Sequence, residues 1–493
     1  MITPADSHDQ LSRWRPVILL AGPALHALLF FAAPASLATE ARHVLGIVAW
    51  MATWWLFEPV PLLATSLLPL ALLPLTGAAS MRDAAAPYGN DIVFLFLGGF
   101  LLAAALERWN AHQRIAYALV SAVGFTTRRI VFGVMLATAL ISMWISNTAT
   151  AAMMYPIALA VGGMFADDTG GAETRTALML GVAYAASIGG MSTLLGTPPN
   201  LVLAGASQEL LGREVGFVPF MMIGLPIAAI LLPLCWAMLV FVLHRGAASP
   251  GHGARELLRE RRAALGRLRG GEAVTLVVFA CTAVAWVMRQ PKQFGSVVVP
   301  GITSFAPRVS DAAIAIGGAV MLFVLSARDT NGARRPLLVW SEARQIPWDV
   351  LFLFGGGLSL AAAMEATGLA AWIGESMTGL AGFPSIVIYA GLAVIVLVLS
   401  ELASNTAVAT MAMPIAATLA VAVDQPPIVL MLVAAFAAST GFALPVATPP
   451  NTIVFGSGHV TVRQMARAGV LLDLLGIIVI VLLVSLLAPL VLG

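Results

Sequence analysis

Charge is scarce in this chain. Only 10% of its 493 residues are Asp, Glu, Lys or Arg, against about 25% in ordinary soluble domains. With 60% of the residues hydrophobic, that scarcity excludes a typical soluble enzyme or binding module. Lysine occurs once, as Lys292, so positive charge is carried almost wholly by arginine, a usage that points to a GC-rich bacterial genome. Cysteine occurs twice, as Cys235 and Cys281, both inside apolar runs. They read as packing residues, and no metal-ligand spacing exists that would make a zinc site. Short segments of alternating polarity are missing, which excludes an outer-membrane β-barrel. A small-residue cleavage site is missing after the first apolar run, so that run reads as a signal anchor and not as a cleaved leader.

What is present is apolar sequence in runs long enough for the roughly 20 residues that cross a bilayer. The expectation is an all-α polytopic membrane protein. Two stretches interrupt the apolar pattern in the same way. One is Ser146-Asn147-Thr148, followed by Pro156; the other is Ser404-Asn405-Thr406, followed by Pro414. The copies stand 258 residues apart (404 minus 146). A polar triplet at membrane depth is costly unless it lines a cavity or binds something. Two in matching places point to one site built from two halves.

Arginine placement orients the chain. Three apolar segments open it, near 16–34, 43–57 and 60–76. A fourth runs from Asp91 to Glu107 and ends in Arg108, Arg114, Arg128 and Arg129, a basic patch that predicts a cytoplasmic loop. Around the first triplet, from 130 to 164, each apolar flank has about 17 residues, short for two full crossings and suited to a re-entrant hairpin. The next span is interrupted by Gly196-Thr197-Pro198-Pro199-Asn200; two prolines remove two backbone donors, so the helix should break there. A span near 217–243 leads into Arg245, Arg255, Arg259, Arg261, Arg262, Arg267 and Arg269. This most basic loop reads as cytoplasmic; the interspersed Glu256 and Glu260, the lack of aromatics and the position between spans argue against nucleic-acid binding. Spans near 273–289 and 311–327 follow, then a second basic loop with Arg328, Arg334, Arg335 and Arg344. A span from Asp349, a hairpin over 384–422, a helix broken at Ala447-Thr448-Pro449-Pro450-Asn451 and a last span from 468 complete the chain.

The duplication extends beyond the triplets. Asp91-Ile92-Val93-Phe94-Leu95-Phe96-Leu97-Gly98-Gly99 resembles Asp349-Val350-Leu351-Phe352-Leu353-Phe354-Gly355-Gly356-Gly357 at the same offset (349 minus 91), which also pairs Glu107 with Glu365. The first of these spans ends in a cytoplasmic patch and the second begins after one, so the repeats are inverted. Inverted repeats with discontinuous helices meeting near the midplane are the architecture of secondary transporters. The N-terminus is expected in the cytoplasm and the C-terminus outside, in a bacterial inner membrane.

The triplets offer hydroxyls and amides, which can donate to an anion or give oxygen to a cation. Helix ends at the hairpin tips and breaks add backbone donors for anions and carbonyls for cations. No arginine or lysine lies in these elements, so a dianion would need co-bound cations to compensate its charge. Ser and Thr also serve as helix glue in membranes, and a lone triplet would be read that way; the paired, equally spaced copies favour a site. Glu401, beside the second triplet, is either a proton carrier or a residue paired within the protein, with the second favoured. Glu107 and Glu365 lie near span ends and read as interfacial. The 21 methionines read as apolar filler. An intramembrane hydrolase would need a nucleophile with its base or a metal cluster, and none of the seven histidines lies in these elements. An anion channel would not need two hairpins that move as a unit.

At these residues the chain resembles the divalent anion–sodium symporter family, whose members carry dicarboxylates, citrate or sulfate. The resemblance implies about eleven spans plus two re-entrant hairpins, a homodimer and an elevator mechanism. It implies a scaffold formed by spans one to four and seven to nine. In residues, it implies N-terminal scaffold spans over 1–129, a first transport-domain half over 130–244, a basic cytoplasmic loop and scaffold spans over 245–383, and a second transport-domain half over 384–493. It places the anion at Ser146, Asn147, Thr148, Ser404, Asn405 and Thr406, with Thr197 and Thr448 close by. It places one sodium at Ser142, Ser146, Asn147 and Gly196, and another at Ser400, Ala403, Asn405 and Ala447. Sodium enters as a co-transported ion, with no organic cofactor. Ser142 and Ser400 keep oxygen ligands available at both positions, which favours a sodium symporter over the family's sodium-independent exchangers; the cargo expected is a C4 dicarboxylate such as succinate, malate or fumarate, with an exchanger or a citrate or sulfate carrier as the alternative.

Overall fold

A computed structural model describes residues 4–165, 169–244, 270–294, 297–328 and 332–492, with Glu260, Ala263, Gly266 and Leu268; of residues 4–13 only the helical backbone is described. The arginines of the most basic loop lie outside the described residues. The chain is helical, and among the described residues seven helices are long and apolar enough to cross a membrane. They are Trp14–Ala32, Phe217–Leu243, Gly270–Val287, Trp348–Ala366, Ser385–Leu402, Asn405–Ala422 and Val462–Leu492. Met81–Gly89 with Asp91–Arg108, bent by 40°, makes an eighth if counted as one span. Leu62–Leu75, Asp311–Val324 and Pro427–Ala438 are apolar but shorter. The expected span at 311–327 is thus a helix of 14 residues, about 21 Å long at 1.5 Å per residue, followed by a short strand, Ser326–Arg328, paired with Arg334–Pro336.

Two compact units divide the chain. The first comprises 1–93, 202–214 and 347–438. Its apolar centre follows from helical spacing: Val44, Ile47, Met51 and Trp55 recur every three or four residues and are fully buried, clustered with Leu353, Leu360 and Met364. The helix Thr39–Phe57 ends at Glu58, whose left-handed φ of 45° turns the chain ahead of Pro59. Gly356 lies where an added Cβ would run into the Ser66 carbonyl oxygen. Only glycine permits that approach, and its neighbours Gly355 and Gly357 leave the same kind of room for Tyr88 and Thr410. Tyr88 Oη donates to the Ser66 carbonyl of the same unit.

The second unit comprises 94–201, 215–346 and 439–493. Here an ion pair is buried: Arg289 Nε lies 2.7 Å from Asp311 Oδ1, each side chain only 7% exposed. Asp311 Oδ2 accepts from the Phe217 amide at 3.0 Å, and Trp286 Nε1 donates to the Asp311 carbonyl at 3.0 Å. The Phe217 ring stacks on Trp286 with centroids 4.7 Å apart and on Trp144 at 6.0 Å. Thus the turn carrying Trp144, just before the first triplet, is joined by aromatic packing to the ion pair. Elsewhere in this unit Arg108 and Arg335 both reach Glu342 Oε1, at 2.6 and 2.7 Å.

The basic stretch read as a loop after Asp91–Arg108 is a helix, Ala111–Val123. Its counterpart is Leu369–Met377, and each follows a left-handed residue, Asn110 with φ 54° and Gly368 with φ 75°. Those residues are again 258 apart (368 minus 110), so the repeat contains an amphipathic helix that the arginine pattern concealed. Ala116 and Val120 are buried on its apolar side while Arg114 reaches Glu272 at 2.6 Å.

Candidate cation and anion sites

Each triplet sits where one helix stops and the next starts. Thr127–Ser142 gives way to Asn147–Gly162, and Ser385–Leu402 gives way to Asn405–Ala422. The first pair has 16 residues in each arm, about 24 Å, below the roughly 30 Å of the hydrocarbon core. The second has 18 in each arm. Serine starts the second arm for a local reason: Ser146 Oγ accepts from the Ala149 amide at 3.3 Å, an N-cap. Ser404 occupies the same position without that side-chain bond.

In the second unit, oxygen atoms gather around the Asn147 carboxamide. Ser142 Oγ lies 2.8 Å from Asn147 Oδ1. The Ala186 and Gly196 carbonyls lie 3.0 and 3.2 Å from the same carboxamide position. With oxygen there, four oxygens face one another with a single hydroxyl proton among them, an arrangement that a cation satisfies. With the amide turned over, the nitrogen comes within hydrogen-bond distance of all three neighbours, with two hydrogens to give them, and the shortage of protons disappears. Gly190 is required for this closeness, since a Cβ on it would lie 3.0 Å from Asn147 Cγ, and Gly196 in turn packs where a Cβ would lie 2.7 Å from Gly190 Cα. Ser142 is fully buried, Ser146 and Asn147 are half-buried, and Thr148 is exposed at the start of its helix. Ser146 is brought near but its hydroxyl is turned to its own helix. Thr197 is buried at 2% exposure.

In the first unit the pattern recurs. Ser400 Oγ, with one hydrogen to give, lies 2.7 Å from Asn405 Oδ1 and 2.6 Å from the Ala438 carbonyl. Oxygens again outnumber protons. Ser404, Asn405 and Thr406 are half-buried, and Ala403 is extended, with φ −141° and ψ 172°. Glu401 is buried one residue from Ser400. In the second unit, Thr448 is an N-cap whose hydroxyl accepts from the Asn451 amide at 3.3 Å, and Ala447 is buried.

The breaks differ from expectation in one respect. The prolines do not end a helix; they start one. Thr169–Gly190 stops first, and Pro198–Leu211 begins at the pair. Pro427–Ala438 stops, and Pro449–Phe455 begins at the pair. Proline suits the first helical positions because their amides have no intrahelical acceptor to lose. Two contributors to the oxygen clusters, Ala186 and Ala438, escaped sequence reasoning because a backbone carbonyl leaves no mark on residue type.

A helical membrane protein with duplicated helix breaks, each gathering oxygen at a polar triplet, is by class a membrane transporter. The family profile described as the sodium:sulfate symporter transmembrane region matches residues 11–492. The chain belongs to that family. It is 41% identical over 484 residues to the sodium-dependent dicarboxylate transporter SdcS of Staphylococcus saprophyticus, covering 96% of this chain and 92% of that protein. It is 41% identical over 485 residues to SdcS of a bovine strain of Staphylococcus aureus, covering 96% and 91%. Among solved structures it is similar to the YdaH transporter of Alcanivorax borkumensis, with a TM-score of 0.56, 13% identity and coverage of 97% and 98%. MtrF of Neisseria gonorrhoeae gives a TM-score of 0.57 at 14% identity, covering 96% and 94%. At those identities the likeness is one of fold.

Proposed function

We propose that the protein is a secondary carrier that uses Na⁺ to drive C4 dicarboxylates such as succinate, malate or fumarate across a bacterial inner membrane. The observation that carries this reading is the duplicated gathering of hydroxyl and carbonyl oxygens at a triplet asparagine: Ser142 Oγ with the Ala186 and Gly196 carbonyls around the Asn147 carboxamide, and Ser400 Oγ with the Ala438 carbonyl beside Asn405. Carbonyl and hydroxyl oxygens suit a hard cation. The dicarboxylate is supported by the names of the relatives that share about two-fifths of the sequence.

One Na⁺ is held by Ser142, Ser146, Asn147 and Gly196, joined by the Ala186 carbonyl. The other is held by Ser400, Ala403, Asn405 and Ala447, joined by the Ala438 carbonyl. The anion is bound by Ser146, Asn147, Thr148, Ser404, Asn405 and Thr406, with Thr197 and Thr448 nearby. Helices begin at Asn147 and Asn405, and their N-terminal dipoles favour an anion. Coupling follows from the carboxamide. With Oδ1 on the cation, Nδ2 is left to donate to a carboxylate. Once the cation leaves, the amide turns to satisfy the Ala186 and Gly196 carbonyls, and Oδ1 then faces the anion and repels it. The helix pairs act as re-entrant hairpins in an eleven-span, homodimeric elevator. Spans one to four and seven to nine form its scaffold, and residues 130–244 and 384–493 form its moving halves. The N-terminus is cytoplasmic and the C-terminus outside.

The test is uptake of radiolabelled succinate into proteoliposomes under an inward gradient of Na⁺ or of K⁺. A tenfold gradient of each of two ions supports about 100-fold accumulation, since each tenfold ratio stores about 1.4 kcal/mol. Uptake by Na⁺ into empty vesicles is expected. Uptake only into succinate-loaded vesicles, indifferent to Na⁺, would identify an exchanger instead.

A further inference from the structure

We infer that Asn200 and Asn451, which close the two Thr-Pro-Pro-Asn sequences, are positioning residues that hold the helix breaks in the shape the cations need. The inference rests on the carrier reading above. Both side chains are fully buried. Asn200 Nδ2 donates to the Gly190 carbonyl at 2.9 Å and the Thr193 carbonyl at 2.7 Å. Asn451 Nδ2 donates to the Gly441 carbonyl at 3.2 Å and the Leu444 carbonyl at 2.9 Å. The two sets are equivalent, each displaced by 251 residues (451 minus 200, 441 minus 190, 444 minus 193). Neither Oδ1 has a hydrogen-bond partner among the described residues. Each amide is therefore retained for its two donor hydrogens.

The need for those donors is physical. A helix leaves its last carbonyls unpaired, and inside a membrane water does not supply partners. Thr169–Gly190 ends at Gly190, and the next helix opens on Pro198 and Pro199, which have no amide hydrogen to give. The residue after the prolines supplies the donors. Ionised aspartate has none and serine has one, so asparagine is the short side chain that bridges two carbonyls. The segment so clamped includes Gly196, whose carbonyl faces Asn147. In the first repeat Thr193 adds a second tie: its Oγ1 accepts from the Gly196 amide at 3.2 Å and donates to the Met143 carbonyl. In the second repeat Leu444 stands at that position, and a different hydroxyl ties the turn: Thr452 Oγ1 donates to the Pro445 carbonyl at 2.8 Å.

The experiment uses the purified full-length protein in detergent. Thermal unfolding is followed while NaCl replaces choline chloride at constant ionic strength, for Asn200→Ala, Asn451→Ala and the serine variants of both. The alanine variants are expected to need about tenfold more Na⁺ for the wild-type rise in Tm, the loss of about 1.4 kcal/mol in cation affinity. Succinate affinity at saturating Na⁺ should change less than about twofold, with the serine variants, which keep one donor, intermediate in their Na⁺ requirement. If the alanine variants do not fold, the serine pair carries the comparison. Folded variants with a lower Tm but the wild-type Na⁺ dependence would overturn the clamp alone. A wild-type protein whose Tm ignores Na⁺ would overturn the carrier reading and the clamp with it.

Discussion

Replacing Asn147 by alanine is expected to abolish Na⁺-driven dicarboxylate uptake while leaving a folded, membrane-inserted protein, and Asn405→Ala to do the same. The Asn147 carboxamide meets Ser142 Oγ, the Ala186 carbonyl and the Gly196 carbonyl with one of its polar atoms, and in the proposed site the other serves the anion. Alanine removes both functions at once. A hydrogen bond to a charged group contributes about 1.5–3 kcal/mol, so losing the one toward the anion costs roughly 10- to 100-fold in uptake at limiting Na⁺, and the lost oxygen ligand of the cation adds to that. Folding should survive because the N-cap of that helix is Ser146, not Asn147, and the side chain is only half-buried. Asn405 stands in the same relation to Ser400. Uptake assays on vesicles matched for protein content decide the matter. Near wild-type uptake at low Na⁺ by both variants would remove these residues from the site.

Asp311→Ala is expected to damage the fold instead of the site. Its carboxylate neutralises Arg289 at 2.7 Å and caps the amide of Phe217 at 3.0 Å. Truncating one member of a buried pair leaves the other charge uncompensated, at a cost of about 3–5 kcal/mol. For a unit of this size that is a fall in Tm on the order of 10 °C. Asp311→Asn keeps an oxygen for the Phe217 amide and should lose less. Replacing both partners by apolar residues should be milder than Asp311→Ala, because no charge is then left unpaired. Thermal unfolding of the three variants gives the order; a wild-type Tm for Asp311→Ala would contradict it. Since Phe217 stacks on Trp144 in the turn before the first triplet, the same variant should also loosen that turn.

The two triplets and the two Pro-Pro pairs were legible in the sequence because they are duplicated. One Ser-Asn-Thr in apolar sequence is ambiguous; two at equal distance from a proline are not. The repeat also exposed the matched Asp91 and Asp349 spans. It did not expose the helices Ala111–Val123 and Leu369–Met377, because both are too short for a span, at 13 and 9 residues, and the first lies between the arginines at 108 and 128–129 that mark a loop. The Arg289–Asp311 pair had no local signature, since its members are 22 positions apart (311 minus 289) on opposite sides of a strand pair. The carbonyls of Ala186 and Ala438 could not be seen in residue type at all. Asn200 and Asn451 could have been: each follows its proline pair in both repeats, and a donor-rich side chain after two residues without amide hydrogens signals orphaned carbonyls to be paired.

The central claim is that Na⁺ and the dicarboxylate bind interdependently, and linkage makes this reciprocal. The most direct measurement is therefore the reverse experiment. Proteoliposomes are prepared with equal Na⁺ on both sides, and an inward succinate gradient is imposed while radiolabelled Na⁺ is followed. Coupled carriage predicts transient net accumulation of Na⁺ against no gradient of its own, absent in vesicles bearing Asn147→Ala. Succinate entry with no net movement of Na⁺ would contradict it.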